Sequence, residues 1–81
     1  MSQLATISVT AFRFTRQFEA VPRRIEFDGV SYELNDAYKK ITVTSDDGDE
    51  TIFDVSDDTH RFRLREHLRN WRLISISSKN T

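Results

Sequence analysis

The dipeptide Asp28-Gly29, set between the alternating runs Arg24-Ile25-Glu26-Phe27 and Val30-Ser31-Tyr32-Glu33, restricts this chain more than any other feature. Asp-Gly suits a two-residue type I′ turn, whose central positions both need positive φ and whose twist matches the strands it joins. Once the turn is fixed the register follows: Phe27 opposite Val30 and Ile25 opposite Tyr32 on one face, Arg24 opposite Glu33 and Glu26 opposite Ser31 on the other. Pro22 cannot donate to a ladder, so it is expected at a strand start or a sheet edge.

A second hairpin is read from Ile41-Thr42-Val43-Thr44-Ser45 and Asp49-Glu50-Thr51-Ile52-Phe53-Asp54-Val55 around Asp46-Asp47-Gly48. A three-residue loop with glycine last is a type I turn plus a G1 bulge, which sets Ile41 opposite Phe53, Val43 opposite Thr51 and Lys40 opposite Asp54. A further turn at Asp57-Asp58 places Phe62 beside Phe53, Leu64 beside Thr51, Arg61 beside Asp54 and Arg65 beside Glu50. A last strand from Trp71 to Ile76 then sets Leu73 beside Phe62, Trp71 beside Leu64 and Arg72 beside Arg63. One face of these four strands is apolar and the other is charged, an agreement between local turns and global pattern that a foldable sequence shows.

Residues 59–68 admit a second reading. Asp57 or Asp58 could cap a short helix, and Leu64, Leu68 and Trp71 have helical spacing. The strict Arg61-Phe62-Arg63-Leu64-Arg65 alternation favours a strand. Near both ends the alternation changes phase, where Ile7, Val9 and Ala11 give way to Phe12 and Phe14, and where Trp71 and Leu73 give way to Ile74 and Ile76. Such slips mark bulges or bends where a strand passes from one sheet to another. The expectation is an all-β fold: a small antiparallel meander of six or seven strands curled into a barrel or roll.

At 81 residues there is room for one domain, spanning residues 1–81. The chain has no cysteine, which removes disulfides and any Cys-based zinc site. Met1-Ser2-Gln3-Leu4-Ala5 has no basic or apolar leader character, and no apolar run approaches the roughly 20 residues that cross a bilayer. A cytoplasmic address and no membrane partner are therefore expected. Twelve Lys and Arg balance thirteen Asp and Glu, so no global field draws polyanions.

Local charge is segregated. Residues 46–58 hold seven acids and no base, yet Val43 and Ser45 stand where a calcium loop needs ligands, so turn chemistry accounts for them. Residues 60–72 carry Arg61, Arg63, Arg65, Arg69 and Arg72 interleaved with Phe62 and Trp71, the composition of a nucleic-acid surface. Arg13, Arg16, Arg63, Arg69 and Arg72 are the candidate basic patch, with Arg23 nearby if the first strand lies alongside. His60 and His67 lack the spacing of metal ligands or of a catalytic base with its partner, so no catalytic residue, metal site or cofactor is assigned. Phe18, Tyr32 and Tyr38 are candidates for exposed aromatic anchors.

The residues therefore point to a small non-enzymatic interaction or adaptor module that contacts a protein or a second copy of itself. Nucleic-acid or other polyanion binding through the arginines is the alternative. A small enzyme or metal protein ranks third, because no phosphate loop, ligand spacing or nucleophile motif is present.

Overall fold

The computed structural model describes residues 5–79; Met1 to Leu4, read above for a targeting signal, lie outside the described residues. Its elements are β1 (Ala5–Thr6), β2 (Ser8–Phe14), β3 (Ala20–Phe27), β4 (Val30–Glu33), β5 (Lys39–Ser45), β6 (Gly48–Ser56), β7 (His60–His67) and β8 (Asn70–Ser78). They form two antiparallel sheets, one ordered β1-β8-β7-β6-β5 and the other β2-β3-β4. The fold is all-β as expected, but no closed barrel is found among the described residues.

The Asp28-Gly29 hairpin has the register its turn dictates, with Arg24, Ile25, Glu26 and Phe27 opposite Glu33, Tyr32, Ser31 and Val30. Asp28 and Gly29 take φ of 53° and 76°, both positive as a type I′ turn requires. Pro22 does not start β3 but sits inside it, opposite Phe12. It lies next to the β2–β3 register irregularity around Ala11, and bulged pairing is where a sheet accommodates a residue that cannot donate to the ladder.

The second hairpin departs from expectation by one residue. Gly48 does adopt positive φ, at 109°, but it joins the ladder opposite Ser45, whose hydroxyl donates to the Gly48 carbonyl at 2.9 Å. Ile41 therefore faces Ile52, Val43 faces Glu50 and Lys40 faces Phe53. Since side chains alternate between faces, a slip of one turns Ile41 and Val43 away from the core and turns Lys40 towards the second sheet, where it meets Glu19. All of β5 is exposed as a result.

Between β6 and β7 the register is displaced by two: Phe62 lies opposite Val55, Leu64 opposite Phe53, Arg63 opposite Asp54 and Arg61 opposite Ser56. An even slip keeps every face and changes every partner. The β7–β8 register is likewise displaced by two, so Leu73 lies opposite Leu64 rather than Phe62, and the like-charged cross-strand pair is Arg65 and Arg72 rather than Arg63 and Arg72. No helix forms at residues 59–68. The Asp57 carboxylate accepts amide hydrogens of Thr59 and His60 at 2.8 and 2.6 Å and so caps a turn, and the alternating chain that follows buries Phe62 and Leu64 as a strand.

Both phase slips are bulges. In β8 the register jumps at Ile74, between the Arg63↔Ser75 and Leu64↔Leu73 pairs. In β2 it shifts on both sides of Ala11. The passage between sheets comes earlier, at buried Ile7: Ala5 and Thr6 pair with β8, and from Ser8 the same run pairs with β3. Ile7, Val21, Ile25 and Leu34 thus meet Phe53, Val55, Phe62, Leu64 and Leu73 in one core. Tyr32 packs edge-on to Phe62 at 5.0 Å, and the Asn35 amide donates to the Ser56 carbonyl at 2.7 Å, tying the end of β4 to β6.

Candidate functional site

Near the β7–β8 turn, residues of both sheets line a cleft of about 430 Å³. Trp71 stands in it, its ring 5.9 Å from Phe12 of the smaller sheet and 5.6 Å from Phe53 of the larger one. Lys40, Glu66 and Arg69, with Ala20 and Thr51, complete the lining. Lys40 is ion-paired with Glu19, and the Arg69 amide donates to Glu66 Oε2 at 2.9 Å, so the charges of this rim are partly held by the protein itself.

Two turns flank the cleft, and both present apolar residues on unfavourable backbone. In the β2–β3 turn the Phe18 amide donates to the Thr15 carbonyl at 2.9 Å, while Thr15 Oγ1 accepts the amides of Gln17 and Glu19 at 3.2 Å each. Phe18 is held there at φ 62° with 86% of its surface exposed. In the β7–β8 turn Leu68 and Arg69 take φ of 50° and 67°, and Leu68 is 72% exposed. Left-handed backbone costs an ordinary residue about 1–2 kcal/mol, and the Asp-Gly pair of the β3–β4 turn shows which residues relieve it. Phe12 and Phe14, on the strand that leads into the β2–β3 turn, are exposed as well. Strain held at bulky, exposed, apolar positions serves neither the core nor the turns.

The candidate arginines are dispersed. Arg13 donates to the Asp36 backbone carbonyl, lies 3.7 Å from the Asp36 carboxylate, and has its guanidinium carbon 5.4 Å from the centre of the Tyr38 ring. Arg16 is exposed in the β2–β3 turn and Arg69 lines the cleft. Arg63 and Arg72 share the outer face of the larger sheet. There Arg63 grips Asp54 through two hydrogen bonds of 2.7 and 3.0 Å, and Arg72 donates to Thr6 Oγ1 at 3.2 Å. The hydrogen bond from Arg63, opposed by burial and aided by the charges of Arg63 and Lys39, lowers the Asp54 pKa below its ordinary value.

Around that pair the outer face is concave, an open depression of about 460 Å³ whose lining includes Lys39, Arg61, Arg63 and Asp54 with Ser56, Ser75 and Ser77. Arg65, on the same face, pairs with Glu50. Of the aromatic candidates, Phe18 is the exposed one, whereas Tyr32 and Tyr38 are half-buried against Phe62 and Phe53. His60 is half-buried, its Nδ1 2.8 Å from Thr59 Oγ1, and His67 Nδ1 lies 3.3 Å from the Asp49 carbonyl oxygen. No group of three or more His, Cys, Asp or Glu residues placed to hold a metal occurs among the described residues.

Sequence reasoning missed the cleft. It placed Trp71 in a core row beside Leu64, whereas Trp71 lies opposite Glu66 and is only half-buried. The strained Leu68-Arg69 turn carries no turn-forming residue of its own, and Asn70 after it was the only local hint. No protein-family model, no curated protein and no solved structure matches this chain.

Proposed function

We propose that this protein is a non-enzymatic interaction module that binds an apolar segment of a partner protein in the Trp71 cleft, with Phe18 and Leu68 as anchors on its rim. The observation that carries this reading is the pair of bulky apolar residues kept exposed at positive φ on two separate turns. Exposed aromatic and aliphatic anchors beside a pocket are the usual core of a protein interface.

Trp71 is the chain's one tryptophan, so its emission reports on the cleft directly. Titration with a panel of apolar and amphipathic peptides should shift that emission saturably, and Phe14→Ser with Phe18→Ser should weaken the response at least about tenfold. Absence of any saturable response, or equal binding by the double variant, refutes the reading.

Polyanion binding is the second reading, supported by the hydroxyl-lined basic depression around Arg61 and Arg63. Contacts from several arginines to phosphates would make binding to single-stranded DNA or RNA fall steeply with salt. No binding at low ionic strength removes it.

A further inference from the structure

The four sheet edges are not alike. β1 has two residues, β4 has four, and β2 is broken by two register shifts. Shortness and bulges are how proteins prevent an edge from recruiting another strand. β5 has neither: seven residues pair with β6 in unbroken register, and among the described residues no strand lies on its other side. Its outer face shows Ile41 and Val43 about half exposed beside Ile52. Every second residue of β5 must turn its amide and carbonyl away from β6.

We propose that β5 pairs with β5 of a second copy, antiparallel about a twofold axis at Thr42. This register overlaps all seven residues. It sets Thr42 opposite the partner's Thr42, Ile41 opposite the partner's Val43, and Lys39 opposite the partner's Ser45. Ile41, Val43 and Ile52 of both copies then form one apolar stripe across the join.

Charge selects this orientation. β5 begins with Lys39-Lys40 and ends at the acidic turn Asp46-Asp47-Gly48-Asp49. Antiparallel pairing brings the partner's Asp46 and Asp47 alongside Tyr38 and Ala37. These two residues, with Lys39, border the basic depression of the outer face. A parallel arrangement would set lysine against lysine and acid against acid. The assembly also closes: both β5 edges are consumed, and among the described residues the far edge of the sheet is β1, whose two residues are too short to template growth into fibres.

Light scattering on the intact chain at low salt should give twice the chain mass, reverting towards one at high salt. Lys39→Glu should weaken the dimer at least about tenfold, and adding Asp46→Lys should restore it by exchanging the charges. Because the chain has no cysteine, Thr42→Cys should form an intermolecular disulfide under mild oxidation. Thr44→Cys, whose partner is Lys40, should not, since directly opposed residues alone come within the roughly 4.4–6.8 Å Cα separation a disulfide accepts. A wild-type monomer at millimolar concentration and low salt overturns the dimer. A dimer indifferent to Lys39→Glu in which Thr42→Cys cross-links no better than Thr44→Cys overturns the β5 assignment.

Discussion

Replacing Leu68-Arg69 by Asn-Gly separates stability from binding. Both positions hold positive φ, 50° and 67°, in a two-residue turn flanked by the His67↔Asn70 pair. Relief of left-handed backbone is worth about 1–2 kcal/mol for each ordinary residue. Against this stands the extra freedom a glycine gives the unfolded chain, about 0.5–1 kcal/mol. Leu68 is 72% exposed, so its removal takes little burial away. The hydrogen bond from the residue 69 amide to Glu66 survives, because it uses backbone. The net expectation is a gain of about 1–3.5 kcal/mol, or a rise in Tm of roughly 4–28 °C for a chain of this size. Thermal and urea unfolding followed by circular dichroism measure it. The same variant should lose peptide response at Trp71, which stands a short step along β8 from the turn. A variant that is no more stable than wild type refutes the strain reasoning. One that is more stable and binds equally well refutes the assignment of Leu68 as an anchor.

Other outcomes follow from the packing. Leu64, fully buried between Phe53 and Leu73, should cost about 3–4 kcal/mol as Leu64→Ala, a large share of total stability, whereas Leu68→Ala should be near neutral; equal costs in urea titrations would revive a helix over residues 59–68. Gly29→Ala should lose about 1 kcal/mol although nothing lies within 4 Å of the added carbon, because the φ of 76° alone resists it; a neutral result in the same assay would contradict that backbone cost. Burial pushes the Asp57 carboxyl up, but the Thr59 and His60 amides together with the nearby His60 outweigh it, so the carboxyls of Asp57 and Asp54 both titrate below 3.8. Their contribution to stability is complete above that value and is lost as pH falls through the lower folded values. Asp54→Asn and Asp57→Asn should therefore flatten the Tm profile below about pH 4 and leave its slope above about pH 5 unchanged, which a pH series of melts will show.

How far the sequence was legible depends on how specific each turn is. Asp28-Gly29 admits one register, and the β3–β4 pairs follow residue by residue. Asp46-Asp47-Gly48 admits two that differ by one residue, and the choice moved Ile41 and Val43 from the core to the surface. The Arg61-Phe62-Arg63-Leu64-Arg65 run repeats every two residues, so a shift of two leaves its apolar face unchanged. Face was therefore readable and partner was not, and Arg63 rather than Arg61 took Asp54. The turns beside the cleft were hidden for a different reason: Leu68 and Phe18 adopt backbone conformations their side chains do not favour, so local preference pointed away from both turns.

The corner at Ile7 bears on the order in which the fold is gained. β5 to β8 can assemble as successive hairpins, each strand meeting a neighbour close along the chain. Ala5 and Thr6 instead wait for Leu73 and Arg72, nearly the whole chain away, and among the described residues hold them through two residue pairs, with the Ile7 amide donating to the Trp71 carbonyl at 3.4 Å. Contacts of such wide separation form late and open first. Amide protons around β1 should then exchange well before those of β7, making this corner the first of the ties between the two sheets to let go.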